Sequence, residues 1–314
     1  MLDLNLLTAG KMLGLGCSTF GGSNSQATAD RALRHAYDQG VVYFDLARSY
    51  GYGTAEGIVG RFAANKRPHL FIASKFGIVP PPSFPFRSSL LAGARLVRRL
   101  LPSTRRAIRS ASGQTLTTST FSPQLAEQSL HTSLRELRTD YLDLFLLHET
   151  GASDMLRDDI GHVLEKAKEQ GKIRAWGGTF ADRREALTAI RQQPGLAAVQ
   201  LGFGLDADYF ALTNESSPRI HLIYSVISYA QCLSEEQAAA TYAQVQRALP
   251  SLQALRNLQE VLLLLAFQSL PHGVLLLSMA TPARIDRNLA VCQAQLSTDE
   301  LASLLALLRP QFAG

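Results

Sequence analysis

The sequence VVYFDLARSYG, residues 41–51, decides the fold, because a short apolar run is followed at once by a carboxylate and then by a phenol. Residues 41–44 have the length and apolar composition of a buried parallel strand. Asp45 and Tyr50 come just after this run. The segment therefore predicts a strand whose carboxyl end carries polar side chains.

Two further polar residues follow apolar runs in the same way. Lys75 comes after residues 70–74, and His148 comes after residues 141–147. In a parallel barrel the carboxyl ends of the strands converge on one face, so residues far apart in sequence meet there. We expect the phenol of Tyr50 to donate a proton to a substrate oxygen and the charge of Lys75 to lower its pKa. Asp45 would hold Lys75, and His148 would orient the oxygen.

The alternation of short apolar runs with longer stretches of helical spacing predicts an α/β fold. Strands are predicted at residues 13–17, 41–44, 70–74, 141–147, 172–176, 197–201, 220–224 and 274–277. Helices are predicted at residues 27–39, at residues 54–64 with Thr54 as N-cap, from Ser122-Pro123 onwards, around Arg183, Asp208, Leu258 and Ile285, and at residues 301–308. Eight strand-then-helix units predict a (β/α)8 TIM barrel, with a doubly wound open sheet as the alternative. A β-hairpin is expected at residues 4–12, and residues 1–314 are interpreted as one domain.

Composition excludes several classes of protein. The hydrophobic fraction of 46% and charged fraction of 18% are those of a globular chain, and the longest apolar run, residues 261–267, is far shorter than a bilayer span. Residues 1–10 lack the pattern of an export signal, and Cys17, Cys232 and Cys292 are interpreted as reduced thiols, so we expect a cytoplasmic protein. The net charge of +5 comes mainly from arginine, and neither nucleic acid nor a membrane is expected as partner.

Several motifs occur in one order along the chain. They are LGLG at 13–16, DxAxxYG at 45–51 with Glu56 after it, Lys75, SLxxL at 133–137 leading into YLDL at 141–144 and His148, GKIRAWG at 171–177, Tyr224-Ser225, and TPxRIxxN at 281–288. In this order and on these strand ends, they resemble the aldo-keto reductase family along nearly the whole chain. The resemblance is specific because it depends on all of the motifs together.

The resemblance implies a barrel that binds an extended nicotinamide dinucleotide and transfers hydride to an aldehyde or ketone. It implies Tyr50 as general acid, Lys75 and Asp45 as its charge-tuning partners, and His148 as the group that positions the carbonyl. The absence of a GxGxxG fingerprint after a strand agrees with a fold that needs no Rossmann domain. The implied partner is a small-molecule carbonyl compound or alcohol, and the oligomeric state is left unassigned.

The resemblance also assigns contacts to the dinucleotide. Thr179 and Gln200 match positions that bond the nicotinamide carboxamide, and Tyr224 matches the aromatic ring that stacks on the nicotinamide. The positions that hold the diphosphate, the adenosine phosphate and the adenine are matched by Ser225, Ser278, Arg284 and Asn288. An arginine suits a 2′-phosphate because its planar fork bonds phosphate oxygens bidentately, which favours NADPH over NADH.

The chain departs from the family pattern at two places that bear on the cofactor. Residues 177–180 read GGTF where the family commonly has Ser-Asn after Gly-Val, so the usual asparagine is missing beside Thr179. Arg287 stands where an acidic residue often lies near the adenine. Both departures concern cofactor binding rather than the four residues assigned to proton transfer.

The connection at residues 76–121 is unusually long and basic, with seven arginines and no acidic residue from Arg87 to Arg109. It is interpreted as a lid beside the active site, with an anion-binding or membrane-surface role as the alternative. The histidines lack the clustered spacing of a metal site, and no metal is predicted.

Two rival functions stay open at this point. A cofactor-binding protein with little turnover could use the same barrel as a redox sensor or as a scaffold. An isomerase or lyase that binds phosphate could use it without any nicotinamide. The intact set of Asp45, Tyr50, Lys75 and His148 favours the oxidoreductase.

Overall fold

Eight parallel strands close into a barrel in the computed structural model, which describes residues 1–80, 119–214 and 219–312. The strands are β1 Lys11–Gly16, β2 Tyr43–Asp45, β3 Phe71–Phe76, β4 Leu142–Leu147, β5 Ile173–Phe180, β6 Ala198–Gly202, β7 Ile220–Tyr224 and β8 Gly273–Leu277. Each strand pairs in parallel with the next, and β1 pairs in parallel with β8. The predicted (β/α)8 barrel is confirmed, and the open doubly wound sheet is excluded by the β1–β8 pairing.

Helices follow the strands and cover the outside of the barrel, except for α1, which precedes β1. They are α1 Leu6–Ala9, α2 Gln26–Asp38, α3 Ala55–Ala63, α4 Pro123–Leu137, α5 Ala152–Met155, α6 Asp158–Glu169, α7 Arg183–Gln192, α8 Ala207–Thr213, α9 Val226–Tyr229, α10 Glu235–Ala248, α11 Leu258–Ser269, α12 Pro282–Gln293 and α13 Thr298–Leu308. Short 3₁₀ turns lie at Tyr50–Gly53, Arg67–His69, Ala230–Cys232, Pro250–Leu252 and Arg309–Phe312.

Side-chain caps explain where several helices begin. Ser122 Oγ accepts a hydrogen bond from the backbone N–H of Leu125 at 3.1 Å, with a proline at the first position of α4. Ser297 and Glu300 form a reciprocal capping box at the start of α13. These caps satisfy backbone donors that the first turn of a helix leaves without partners.

The N-terminal segment corrects one prediction, because residues 4–12 do not form a hairpin. The segment instead makes the short helix α1, and Lys11 already belongs to barrel strand β1. The helical turn places Leu7, which is fully buried, against the inner core at the end of the barrel where the strands begin. Its neighbour Leu6 stays exposed. The burial of Leu7 therefore explains why this segment folds against the end of the barrel.

The core has two layers, as expected for a barrel wrapped in helices. An inner cluster inside the barrel contains Leu144, Leu146 and Leu222, and a larger cluster lies between the strands and the helices. The predicted buried helix around residues 261–265 is confirmed, because all five apolar side chains there are buried in α11. In the part of the chain that the structure describes, no helix has both the length and the apolar character needed to cross a bilayer.

Candidate active site

A cavity of about 460 Å³ lies at the end of the barrel where the strands finish. It is lined by ten of the eleven residues predicted from the sequence: Asp45, Tyr50, Lys75, His148, Thr179, Gln200, Tyr224, Ser225, Ser278 and Arg284. The eleventh, Asn288, lies in α12, whose first turn carries Arg284. Side chains from seven different strands or strand ends therefore meet at one cavity, as the parallel topology predicts.

Lys75 and Asp45 form a buried ion pair at the floor of this cavity. Lys75 lies within β3, one residue before its end, and Asp45 is the last residue of β2. The ammonium Nζ donates to both carboxylate oxygens of Asp45 at 2.7 Å and to the backbone oxygen of Leu46 at 2.7 Å. Burial lowers the pKa of Lys75, and the charge of Asp45 opposes that change. Three acceptors thus fix the position of the ammonium.

The phenol of Tyr50 is brought to the same ammonium. Lys75 Nζ lies 3.4 Å from Tyr50 Oη and 4.8 Å from the centre of its ring. The expected lowering of the Tyr50 pKa is wrong, since burial and then the negative charge of Asp45 raise it well above its ordinary value. Burial is the larger of the two causes, because it disfavours the charged phenolate. Tyr50 is consequently protonated at neutral pH, which is the form that can donate a proton.

His148 completes the group from the end of β4. Its ring meets that of Tyr50 edge to face, with centroids 5.8 Å apart. Burial, reinforced by the positive charge of Lys75, lowers the pKa of His148 to about 3, so its imidazole is neutral at physiological pH. Among the described residues, nothing bonds the buried Nδ1 of His148. A neutral ring with an uncommitted nitrogen can hydrogen-bond an oxygen placed in the cavity.

The turn that carries Tyr50 is attached to strand β3 through the buried side chain of Glu56. Arg48 donates through Nη1 to Glu56 Oε2, and Ser74 donates through Oγ to Glu56 Oε1 at 2.6 Å. The backbone N–H of Arg48 also donates to the carbonyl of Lys75 at 3.2 Å. These contacts connect the segments that carry the phenol and the ammonium.

The backbone of this turn also depends on a glycine. Gly51 has a φ of 57°, and a Cβ there would lie 1.9 Å from the backbone oxygen of Phe20. Thr54 is the N-cap residue of α3, as predicted, but its side chain makes no capping bond, because its hydroxyl donates to the carbonyl of Gly51 at 2.7 Å. Thr54 therefore stabilises the turn that positions Tyr50 rather than the helix after it.

Uncommitted polar atoms in the cavity fit a nicotinamide carboxamide. Gln200 is buried and its Nε2 lies 3.4 Å from Asp45 Oδ1, while its Oε1 has no hydrogen-bond partner among the described residues. Thr179 Oγ1 accepts from the backbone N–H of Glu149 at 2.6 Å and retains its own hydrogen for donation. A carboxamide, which has one acceptor and two donor positions, matches these two groups.

The β8 side of the cavity fits the phosphate-bearing part of a dinucleotide. Ser278 and Arg284 both line it, and Gly16 opposite has no side chain to fill the space beside Ser278. Asn288 is buried, and its Nδ2 has no partner within the residues that the structure describes. Arg287 is held by Glu260 at 2.8 and 2.5 Å and so is committed elsewhere.

Some cavity residues were not predicted. Ser18, Glu149 and Gln231 line the cavity with the predicted set. The sequence did contain one signal, since Glu149 directly follows His148. The long basic connection predicted at residues 76–121 lies mostly outside the described residues, which omit residues 81–118. Within the described ranges, no group of three or more His, Cys, Asp or Glu side chains is placed to hold a metal ion.

Comparison with known proteins agrees with the geometry. The model of the Aldo/keto reductase family matches residues 12–205. Methylglyoxal reductase YeaE of Escherichia coli (strain K12) is 27% identical over 295 residues, covering 90% of this chain and 85% of that protein. Rho crystallin of Rana temporaria is 28% identical over 224 residues, covering 60% of this chain and 65% of the crystallin.

A solved structure shows the same fold. The aldo/keto reductase from Klebsiella pneumoniae, in complex with NADP and acetate, has a TM-score of 0.65 at 22% identity and covers 95% of this chain and 91% of its own. With the family match, the resemblance drawn from the motifs is confirmed: the chain belongs to the aldo-keto reductase family. The predicted enzyme class, an NAD(P)H-dependent oxidoreductase, is confirmed at the level of the family.

Proposed function

We propose that the protein is an NADPH-dependent reductase that converts a small aldehyde or ketone to the alcohol, or catalyses the reverse oxidation. The observation that carries this proposal is the position of Lys75 Nζ. It bonds both oxygens of Asp45 at 2.7 Å and lies 3.4 Å from the phenol of Tyr50, on a cavity shared with His148. This arrangement supports proton donation to an oxygen in the cavity.

A reduced nicotinamide dinucleotide, when bound, supplies the hydride that adds to the carbonyl carbon. Tyr50 gives its phenolic proton to the carbonyl oxygen as negative charge develops there. The ammonium of Lys75 stabilises the phenolate that remains, and Asp45 keeps the ammonium in place. Neutral His148 donates a hydrogen bond to the same oxygen and so orients the carbonyl.

Contacts to the dinucleotide are proposed from the fit described above. Gln200 and Thr179 would bond the carboxamide, and Tyr224 would stack on the nicotinamide ring. The phosphate and adenine side would be held by Ser225, Ser278, Arg284 and Asn288. The bound NADP of the Klebsiella pneumoniae structure supports NADPH over NADH, and so does the arginine at position 284.

The relatives suggest where the search for a substrate should start. The Escherichia coli relative is named a methylglyoxal reductase, so small 2-oxoaldehydes are the first candidates. A second candidate function is a dinucleotide-binding protein with little turnover, and the absence of the usual asparagine beside Thr179 favours it. Binding and turnover must therefore be measured separately.

The test is a fluorescence titration with NADPH and NADH, followed by turnover of methylglyoxal and a panel of other aldehydes and ketones. We expect tighter binding of NADPH and consumption of NADPH with at least one carbonyl compound. Arg284→Ala should weaken NADPH binding by about tenfold or more and NADH binding much less, because it removes a charge-assisted contact to phosphate. The matched control is Arg191→Ala, at an exposed position of α7. Binding of NADPH without any turnover would favour the second candidate, and no binding would contradict both.

A further inference from the structure

Glu149 lies at the rim of the cavity, next to the group assigned to the reaction. It directly follows His148 and lines the cavity together with Tyr50 and Tyr224. Its side chain is exposed, and in residues 1–80, 119–214 and 219–312 no hydrogen bond or ion pair reaches its carboxylate. As far as the described residues go, the carboxylate is therefore available to a molecule that enters the cavity.

The backbone at this position is in an unfavourable conformation for a glutamate. Glu149 has a φ of 54°, in the left-handed region that favours glycine. Thr179 holds it there, because its Oγ1 accepts the Glu149 N–H at 2.6 Å and its carbonyl accepts the Thr150 N–H at 2.8 Å. Conformations of this kind concentrate at functional sites, and this one turns the residue after His148 toward the cavity.

Among the described residues, no unpaired positive charge lies beside Glu149 at the reacting end of the cavity. Asp45 and Lys75 neutralise each other, and His148 is uncharged at neutral pH. Arg284, the other charged residue of the described lining, lies on the β8 side proposed for phosphate. After burial, the charge of Glu149 is the largest factor that raises the pKa of Tyr224, which also lines the cavity.

We infer that Glu149 selects the substrate by charge, favouring aldehydes and ketones that carry an amine or another cationic group over those that carry a carboxylate. This inference rests on the proposed function and names its substrate class. A cationic group beside the carbonyl would pair with the free carboxylate at the rim. A carboxylated substrate would place two negative charges together in a partly enclosed cavity, which disfavours binding.

The experiment compares 4-(trimethylammonio)benzaldehyde with 4-carboxybenzaldehyde in the wild-type protein and in Glu149→Gln, at saturating NADPH. The measured quantity is the ratio of kcat/KM for the cation to that for the anion. We expect Glu149→Gln to lower this ratio by about tenfold, and high salt to lower it in the wild type, because both remove the electrostatic interaction. The control Glu127→Gln, on the exposed face of α4, should leave the ratio unchanged.

A second variant separates charge from backbone strain. Glu149→Gly should lower the ratio as Glu149→Gln does, and it should also raise the melting temperature, because glycine adopts the left-handed conformation without a steric penalty. An unchanged ratio in both variants would overturn the role of Glu149, even while loss of turnover in Tyr50→Phe upholds the proposed function. Absence of turnover with either aldehyde and with the wider carbonyl panel would overturn the proposed function, and this inference with it.

Discussion

At the end of the barrel where the strands begin, Asp143 accepts hydrogen bonds from Arg67, from Arg174 and from the backbone N–H of Ile72, at 2.7, 2.7 and 2.9 Å. Arg67 in turn donates to the carbonyl of Leu70 at 2.8 Å. At the opposite end, the Lys75–Asp45 pair is just as buried. What distinguishes it is the cavity: His148 and Gln200, which have buried polar atoms without a partner among the described residues, line the cavity, whereas the unpartnered hydroxyl of Tyr141 beside Arg67 does not.

The difference between the two clusters shows that a buried ion pair can either stabilise the fold or form part of a ligand site. A buried carboxylate whose oxygens are all bonded holds strands together, and losing a partner leaves an uncompensated charge. A buried pair beside uncommitted donors and acceptors is poised for a ligand. We therefore expect substitutions at Asp143 to affect stability and substitutions around Lys75 to affect chemistry.

The largest effect is expected for Lys75→Met. Loss of the ammonium removes the group that stabilises the Tyr50 phenolate, and kcat should fall by roughly 10²–10⁴-fold. The measurement is steady-state NADPH consumption, corrected for the folded fraction because Asp45 loses its partner. Lys166→Met, at an exposed position of α6, is the control and should retain full turnover. A decrease of less than about tenfold would remove Lys75 from the proposed mechanism.

Asp143→Ala should lower the stability of the protein and leave turnover largely unchanged. It leaves two arginines without their carboxylate, and we expect the free energy of unfolding to decrease by about 3–5 kcal/mol with little change in kcat per folded molecule. Chemical denaturation gives the first quantity. As control, Lys168→Ala removes only the exposed pair with Glu165 and should cost at most about 0.5 kcal/mol. Loss of kcat in Asp143→Ala at unchanged stability would contradict the division between the two clusters.

His221 sharpens the comparison, because it also lacks a hydrogen bond among the described residues but lies at the strand-beginning end and, unlike His148, does not line the cavity. Its ring stacks on His272 with centroids 4.9 Å apart. Burial, then the charges of His272 and Arg219, lower the pKa of His221 from 6.5 to about 4. The unfolded chain therefore binds a proton that the folded protein excludes, and stability should fall as the pH decreases from about 6.5 to about 4.

Removing this group should make the protein more tolerant of acid. In His221→Leu we expect the loss of unfolding free energy between those pH values to be smaller by about 3 kcal/mol. Urea denaturation at several pH values measures this quantity. His69→Leu, at an exposed position, is the control. An identical pH dependence in His221→Leu and wild type would contradict the assignment.

The smallest effect is expected for Ser74→Ala. Ser74 donates to the buried Glu56 at 2.6 Å, and its loss should destabilise the protein by about 1–2 kcal/mol while Arg48 still holds Glu56. Thermal unfolding measures the change. Ser133→Ala is a matched control, because the Ser133 hydroxyl is buried and has no partner among the described residues, so its removal should cost little. Equal destabilisation by the two substitutions would show that the Ser74–Glu56 bond contributes nothing specific.

Much of the fold and the candidate site could be predicted because the signals are local. Asp45, Lys75 and His148 lie at or next to the end of a strand that the apolar pattern reveals, and the barrel then brings them together. The prediction of a hairpin at residues 4–12 was wrong, because the local sequence pattern does not show that Leu7 packs against the end of the barrel. The N-cap position of Thr54 was right, but its side chain does not cap the helix, because its competing acceptor, the carbonyl of Gly51, depends on the conformation of the turn.

Interactions between residues that lie far apart in the sequence could not be predicted from it. Arg67 lies 76 positions from Asp143, and Arg174 lies 31 positions away, so nothing in the sequence pairs them. The predicted direction of the Tyr50 pKa shift was wrong for a similar reason, since the shift depends first on how deeply the fold buries the phenol and then on the charge of Asp45. Such distances follow from packing, which only the folded structure specifies.

The most direct test of the account compares cofactor binding and turnover in Tyr50→Phe, with Tyr37→Phe on α2 as control. The substitution removes one hydroxyl, so NADPH affinity should stay within about threefold of wild type while kcat falls by roughly 10²–10⁴-fold. Tyr37→Phe should change neither quantity. Turnover by Tyr50→Phe at a rate close to that of the wild type would contradict the central claim that the phenol held beside Lys75 is the proton donor.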